Sequence, residues 1–284
     1  DVCRAIGELR IRTYATSNLG MVFLWYGRID EAREFFDESL RISKSCNDRL
    51  ARADALCEHS RLFLTTGEYD RAIETARSCI DLYHEMGREK VSLPSIVLGK
   101  ALRLKRANGA YEALNEGLEA ARSVNHQPDI AYGLEGLGSL ALDQQDYDQA
   151  EDCFRQALEI WTKIGSEPEI AKILCRIAHT SLTSGSNDSP RIREQFGQAL
   201  RLAHKHQSGM VAIPAMVGLE ALKIREGDPG SAGPLLLFAS QHQATPHEVK
   251  VWVDAMIQKI GTGPDTWAST LSWQQLADDY ERSL

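Results

Sequence analysis

A seven-residue turn pattern, read most clearly as G-E-Y-D-R-A-I at residues 67–73, recurs along the chain at intervals of about forty residues. Aligned on their alanine, the variants occupy residues 27–33, 67–73, 108–114, 145–151 and 227–233. A further copy fits residues 185–195, where Ile192 takes the alanine position and the turn is about two residues longer. Self-similarity at a fixed period of this length is the signature of stacked repeats, so the chain is predicted to be a solenoid.

Each copy carries the residue types that end one helix and begin another. A glycine takes the left-handed conformation that terminates a helix, and Asn108 is predicted to substitute for it in the third copy. Acidic residues then suit the positive end of the next helix dipole, and they are Asp30, Glu31, Glu68, Asp70, Asp146 and Asp148. The pattern therefore predicts a helix, a tight turn and a second helix in every copy.

Small residues two helical turns apart predict a close seam between the paired helices. The first small position is filled by Ala32, Ala72, Ala113, Ala150 and Ala232. Seven residues further on stand Ser39, Cys79, Ala120, Ala157, Ala199 and Ala239. Side chains of this size allow two antiparallel backbones to approach, so we expect these positions to be buried.

These residues resemble the tetratricopeptide repeat family over roughly residues 10–242. The first copy carries Leu19, Gly20, Phe23, Gly27, Ala32, Phe36 and Leu40, and the fourth carries Leu137, Gly138, Tyr147, Ala150, Phe154, Ala157 and Leu158. Other copies depart from the pattern: the second has His59 and Ser60 for Leu-Gly, the third lacks the aromatic residue, and the sixth has Pro229 in its place. The period exceeds the ~34 residues of the plain repeat. Such lengthened repeats resemble the effector-sensing arms of bacterial STAND-type signalling ATPases and transcription regulators, including the maltose-regulon activator.

The predicted fold is all-α, a right-handed superhelical solenoid of about six helix pairs closed by a C-terminal helical cap. The pairs are placed at 10–46, 48–86, 89–124, 129–163, 168–206 and 209–241. An amphipathic helix is predicted at 247–260, followed by a G-T-G-P break. Ser272 and Gln275 form a capping box for a last helix that runs through Leu284. We therefore expect a repeat array over 1–245 and a cap over 246–284.

Composition and charge exclude several classes of protein. Apolar residues make up 43% and charged residues 25% of the chain, and no window approaches the ~20 apolar residues of a membrane helix. The net charge of −8 argues against nucleic acid, which requires a basic surface. The chain opens on Asp1 in a helix already under way, so we expect a cytoplasmic fragment of a longer polypeptide with N-terminal effector domains. The cysteines show no C-x-x-C spacing and are predicted to be reduced thiols, most of them at helix-packing positions: Cys3, Cys46, Cys57, Cys79, Cys153 and Cys175.

No set of residues predicts catalysis or a cofactor. The sequence has neither a phosphate-binding loop nor a dinucleotide-binding glycine pattern. The nearest metal candidates are His204, His206, His242 and His247. Residues two apart on a helix point to different sides, so the first two are interpreted as solvated histidines near a helix end. We expect no enzyme activity, no metal and no cofactor.

The resemblance implies a recognition surface, because the first helix of each pair lines the concave groove in this family. The candidate partner-binding residues are Tyr14, Trp25, Asp54, Arg61, Lys105, Arg106, Tyr132, Glu135, Lys172, His179 and Arg225. Arg61, Lys105, Arg106 and Lys172 are predicted to form a basic strip for an acidic peptide or protein segment. The alternative for each residue is an ordinary solvated side chain.

Two function classes follow. The first is a sensor arm of a bacterial signal-transduction ATPase or transcription regulator, which binds a protein, a peptide or a small-molecule effector. The second is a free-standing scaffold that recruits proteins or peptides without switching anything.

Overall fold

The computed structural model describes residues 2–45, 47–228, 232–260 and 272–283. Within these ranges the chain forms fourteen α-helices and no strand. The first six are α1 Val2–Tyr26, α2 Ile29–Ser45, α3 Arg49–Thr66, α4 Tyr69–Glu85, α5 Ser92–Leu104 and α6 Ala110–Ser123. The next six are α7 Gln127–Asp143, α8 Tyr147–Ile164, α9 Glu167–Thr183, α10 Ser189–Lys205, α11 Gly209–Arg225 and α12 Ala232–Gln241. The last two are α13 His247–Ile260 and α14 Trp273–Ser283.

The first twelve helices form the six pairs that the turn pattern predicts. Their ends lie within a few residues of the predicted bounds, except that α1 begins at Val2 rather than near residue 10. The predicted helix at 247–260 coincides with α13. The G-T-G-P break, Cys46 and Pro229 lie outside the described residues, as does the side chain of Cys3. The all-α, paired-helix prediction is confirmed.

A left-handed residue follows the end of each helix from α1 to α11. Between the two helices of a pair it is Gly27, Gly67, Arg106, Gln145, Gly185 or Gly227, and between pairs it is Asn47, Gly87, Asn125, Gly165 or Gln207. At Gly67, with φ 84°, the following Glu68 N–H reaches the Phe63 carbonyl at 2.9 Å. This bond satisfies a carbonyl that the helix end would otherwise leave without a partner.

The third pair corrects the prediction for Asn108. Arg106 and Gly109 have positive φ there, whereas Asn108 does not. In this pair the seam alanine, Ala113, comes seven residues after the left-handed Arg106. In the second pair the seam alanine, Ala72, comes five residues after the left-handed Gly67. The turn is therefore two residues longer, and alignment on the alanine misplaces the preceding helix.

The predicted seam is buried throughout. Every small residue named above at the two seam positions has at most 7% of its surface exposed, and most have none. Large rings fill the remaining space, and Phe36, Phe154 and Phe196 are almost fully buried. Glycines in the first helices accommodate two of these rings: a Cβ on Gly20 would lie 2.6 Å from the Phe36 ring.

The chain divides into two compact units, residues 1–140 and 141–284. In the first unit, α1 to α6 pack consecutively, and α1, α3 and α5 also touch one another in turn. In the second unit, α8 to α11 pack consecutively, α12 lies against α11, and α13 lies against α12. In each unit, first helices therefore contact one another as well as their second helices, α1 with α3 and α3 with α5 in the first unit and α9 with α11 in the second.

The last helix begins at the predicted capping box. The Ser272 N–H donates to Gln275 Oε1 at 2.8 Å, and the Gln275 N–H donates to Ser272 Oγ at 3.3 Å. The helix packs against α10 and α11, where Tyr280 donates to the fully buried Glu220. It therefore covers these two helices. The boundary at 245–246 between array and cap stays a prediction.

Candidate functional site

The first helices of the first unit bring repeat-equivalent residues onto a common surface. Their helix-ending residues, Gly27, Gly67, Arg106 and Gln145, are spaced by 40, 39 and 39 residues. Counted from these ends, one row of equivalent positions holds Tyr14, Asp54, Leu93 and Tyr132, and a second holds Met21, Arg61, Lys100 and Ser139. We call these two rows the first-helix face.

A cluster of charged side chains surrounds Tyr132 on this face. The Arg61 guanidinium lies 5.7 Å and the Lys100 ammonium 5.6 Å from the centre of the Tyr132 ring. Lys100 donates to Glu135 at 2.8 Å, and Arg61 donates to Glu58 at 3.1 Å. The five residues come from α3, α5 and α7, and we call them the Tyr132 cluster. Each cation–ring contact is worth ~0.5 to 2 kcal/mol, so the contacts hold both cations in place.

The Tyr132 cluster is balanced in charge, which corrects the predicted basic strip. Both cations have a carboxylate partner, and Glu135 is buried beneath the surface with 3% exposure. Elsewhere Lys105 pairs with Asp70, and Lys172 pairs with Glu169 at 2.6 Å. A charge-balanced surface offers donors and acceptors together and lacks the positive field that a purely acidic segment would require.

Lys105 and Arg106 lie beyond the end of α5, in the turn, and not on the first-helix face. Lys100 takes the equivalent position, 39 residues after Arg61. Lys100 was not predicted from the sequence, because the third pair was aligned on Ala113, across a turn with two extra residues. Alignment on the helix-ending residue Arg106 would have found it.

Asp54 joins two helix pairs through hydrogen bonds. It accepts from the Tyr14 hydroxyl of α1 at 3.0 Å and also from the Tyr83 hydroxyl of α4. Burial, followed by the Asp54 charge, raises the pKa of Tyr14 to about 12. Burial and the hydrogen bond to Asp54 also raise the pKa of Tyr83. Both phenols therefore stay protonated at neutral pH and act as fixed donors.

Trp25 and Arg225 occupy equivalent places in the last turns of α1 and α11. Trp25 is partly buried. Arg225 is exposed and donates to the Leu182 carbonyl at 3.4 Å and to Ser189 Oγ at 3.3 Å. It therefore contacts the turn of the preceding pair.

In the second unit, α13 contacts His179, one of the residues that were predicted to face a partner. His179 of α9 meets the edge of Trp252 with ring centres 4.6 Å apart, and the neighbouring Arg176 donates to Glu248 at 2.9 Å. Burial, with a smaller effect from the Arg176 charge, lowers the pKa of His179 to about 4. His179 is thus a neutral packing partner of the chain's own helix, which corrects its placement on an open groove.

Groups that could support other chemistry are dispersed. Among the described residues, no three His, Cys, Asp or Glu side chains gather as a metal site requires. His204 contacts Glu281 at 3.1 Å, whereas His206 contacts Glu167 at 2.6 Å, on another side of the helix. The described cysteine side chains, Cys57, Cys79, Cys153 and Cys175, are buried and form no disulfide bond. None of the described helices is both long and apolar enough to cross a membrane.

Two curated proteins share sequence with parts of the chain. It is 26% identical over 200 residues to the regulatory protein AfsR of Streptomyces griseus, a match over 70% of this chain and 19% of that protein. It is 22% identical over 176 residues to the 43 kDa receptor-associated protein of the synapse from Tetronarce californica, over 60% of this chain and 43% of that protein. The chain thus spans less than half of either relative.

Solved structures share its fold. A Rap protein complexed with competence and sporulation factor superposes with a TM-score of 0.72 at 14% identity, over 96% of this chain and 74% of that one. A signal transduction ATPase with numerous domains and a tetratricopeptide repeat sensor, from Pyrococcus horikoshii, superposes with a TM-score of 0.50 at 13% identity, over 89% and 38%. At these identities the likeness is one of fold.

The family model described as tetratricopeptide repeat matches residues 12–85 and 129–205, just over half of the chain. The unmatched stretch between these ranges contains the third pair, whose turn is two residues longer. The helix pairs, the buried small-residue seam and the glycine-terminated first helices agree with this match. The chain belongs to the tetratricopeptide repeat family.

Proposed function

We propose that the chain is a non-enzymatic, cytoplasmic binding array that holds a peptide or protein segment on its first-helix face. The observation that carries the proposal is the convergence of Arg61 and Lys100, from two helices, on the ring of Tyr132 of a third. Tyrosine and arginine are the residue types that dominate binding energy at interfaces. They are held here by partners on rigid helices, so little side-chain entropy would be lost on binding.

The charge balance of the Tyr132 cluster indicates the kind of segment that fits. An extended peptide carries alternating backbone donors and acceptors, which the partly exposed Arg61, Lys100 and Glu58 complement. The exposed part of the Tyr132 ring offers apolar contact to a side chain of the peptide. We therefore propose a mixed polar and apolar segment as the partner, in place of a strongly acidic one.

We further propose that the array is the sensor arm of a larger bacterial signal-transduction ATPase or transcription regulator, joined to N-terminal effector domains. The likeness to two proteins supports this role: one is a regulatory protein, and the other is an ATPase with a sensor of this repeat type. A small-molecule effector is a further candidate ligand for such an arm. The alternative is a free-standing scaffold.

A selected peptide tests the binding surface. The 284-residue chain is used to select binders from a phage-displayed library of random dodecapeptides, and their affinity is measured by calorimetry. We expect Tyr132→Ala to weaken binding by about tenfold or more, since truncating an interface anchor costs ~2 kcal/mol. Arg122→Ala on α6, an exposed residue paired only within its own turn in the contacts described, is the matched control. Equal affinity for both variants and the unchanged chain would reject the proposed surface.

The sensor role is tested on the complete gene product. A sensor arm requires a nucleotide-binding or DNA-binding module in the same polypeptide, and its nucleotide hydrolysis or DNA binding should change when the selected peptide is added. If the complete product has no such module, the free-standing scaffold is correct.

A further inference from the structure

An apolar stripe runs along the exposed side of α1. It consists of Ile11, Leu19, Val22 and Tyr26, which are 70%, 45%, 47% and 42% exposed, with Ala15 between the first two. Their spacing of three, four or eight residues places them on one side of the helix. Large apolar side chains aligned in this way are unusual on a surface that remains in water.

The repeat itself shows what covers such a stripe. The positions equivalent to Ile11, Ala15, Leu19 and Val22 are Ala51, Ala55, His59 and Leu62 in α3, and Val211, Ala215, Leu219 and Leu222 in α11. All eight are buried. In both cases the helix packs against the second helix of the preceding pair, α2 for α3 and α10 for α11. His59 marks the contact directly, since its Nε2 lies 2.8 Å from Asp37 of α2.

The exposed stripe on α1 therefore continues an interface that is filled elsewhere in the chain. Leu19 of α1 occupies the position that the polar His59 occupies in α3. A helix that covers α1 would therefore contact an apolar side chain there, and not a hydrogen-bonding one. A second copy stacked head to tail would have to offer the outer side of α12, the second helix of the last pair. That helix already packs against α13.

We propose that the stripe docks the second helix of a further helix pair, placed ahead of α1 in a longer polypeptide. The inference rests on the proposed place of this chain within a larger protein. The docking helix should be amphipathic, with small residues at seven-residue intervals and an apolar or small residue opposite Leu19. The array would then join its upstream domains through packed helices, without a flexible linker.

The test compares amide hydrogen exchange in two proteins, the 284-residue chain and the gene product expressed from its natural start. Exchange at residues 11–26 should be at least about tenfold slower in the longer protein, because a packed helix opens less often than one with an uncovered face. Leu19→Asp and Val22→Asp should remove that protection in the longer protein and leave α3 to α6 unchanged. Asn18→Asp is the matched control, since it adds the same charge at an exposed position beside the stripe.

Three outcomes would overturn the proposal. The first is equal exchange at residues 11–26 in the two proteins, and the second is a natural start too close to Asp1 to supply a helix pair. The third is a dimer of the 284-residue chain that Leu19→Asp converts to a monomer, because the occupant would then be a second copy. Binding of the selected peptide, measured on the same proteins, reports separately on the first-helix face.

Discussion

At the scale of single residues, the fold depends on glycines that leave space for a neighbouring ring and on a buried charge that has an ion-pair partner. Glycine in the first helices leaves room for a phenylalanine of the second helix. A buried carboxylate, Glu135, is paired with Lys100 at 2.8 Å. Both features are local, and each predicts the effect of a small substitution.

Adding one methyl group to Gly218 should destabilise the protein. Its Cβ would lie 2.3 Å from the Phe196 ring, so the ring or the backbone must shift. We expect Gly218→Ala to lower the free energy of unfolding by about 1 to 3 kcal/mol. Gly7→Ala is the control: no atom lies within 4 Å of its Cβ, and alanine should stabilise α1 by up to about 1 kcal/mol. Urea unfolding of the two variants measures both effects, and equal changes would contradict the packing described.

Removing one partner of the Lys100–Glu135 pair should cost more than removing both. Lys100→Met leaves a buried carboxylate without its cation, at a cost of about 3 kcal/mol. Lys100→Met with Glu135→Leu removes both charges and should restore most of this loss. A double-mutant cycle from urea unfolding gives the coupling. A coupling near zero would show that the pair contributes nothing to stability.

At the scale of helices, the residue types at the turns and seams predict most of the helix pairs, whereas the alignment of the third pair depends on the length of its turn. Glycines, helix-start acids and small seam residues predicted six pairs, whereas an amphipathic pattern predicted α13 and the pair Ser272 and Gln275 predicted the start of α14. The third pair was misaligned because the left-handed residue that ends α5 is Arg106 rather than a glycine, and because two extra turn residues shifted the position of Lys100. The covering of His179 by α13 was also missed, since the pairing of residues distant in sequence is not encoded in a local pattern.

The contact between α9 and α13 should make stability depend on pH. The pKa of His179 is lowered to about 4 from 6.5, so the unfolded chain binds a proton more readily than the folded one. This contribution to stability is complete above pH 6.5 and is lost as the pH falls towards 4, by up to about 3 kcal/mol. His179→Gln should flatten that part of the profile in urea unfolding. An unchanged pH profile would contradict the burial of His179 under Trp252.

Removal of α14 should expose α10 and α11. Deleting residues 272–284 uncovers the buried Glu220 carboxylate and the surface of α11 against which Trp273 packs. We expect a lower melting temperature and increased binding of a hydrophobic dye. Tyr280→Phe removes only the hydrogen bond to Glu220 and should cost about 1.5 to 3 kcal/mol. A truncated chain with an unchanged melting curve would show that α14 is not a cap.

At the scale of the whole molecule, the chain combines a net charge of −8 with a Tyr132 cluster in which two cations are paired with two carboxylates. The family and the paired helices could be predicted from the sequence, because both depend on short patterns. The balance of charge at Tyr132 could not, because it depends on which helices bring Arg61, Lys100 and Glu135 together. The proposed function depends on this arrangement of helices around Tyr132.

The central claim is that a peptide binds the first-helix face. The most direct measurement is photo-crosslinking of the selected peptide to the chain carrying a benzophenone side chain at Met21, on that face, or at Arg122, on α6. The account predicts a crosslinked product at Met21 that unlabelled peptide suppresses, and none at Arg122. Crosslinking at Arg122 with none at Met21 would place the partner on the second helices and contradict the account.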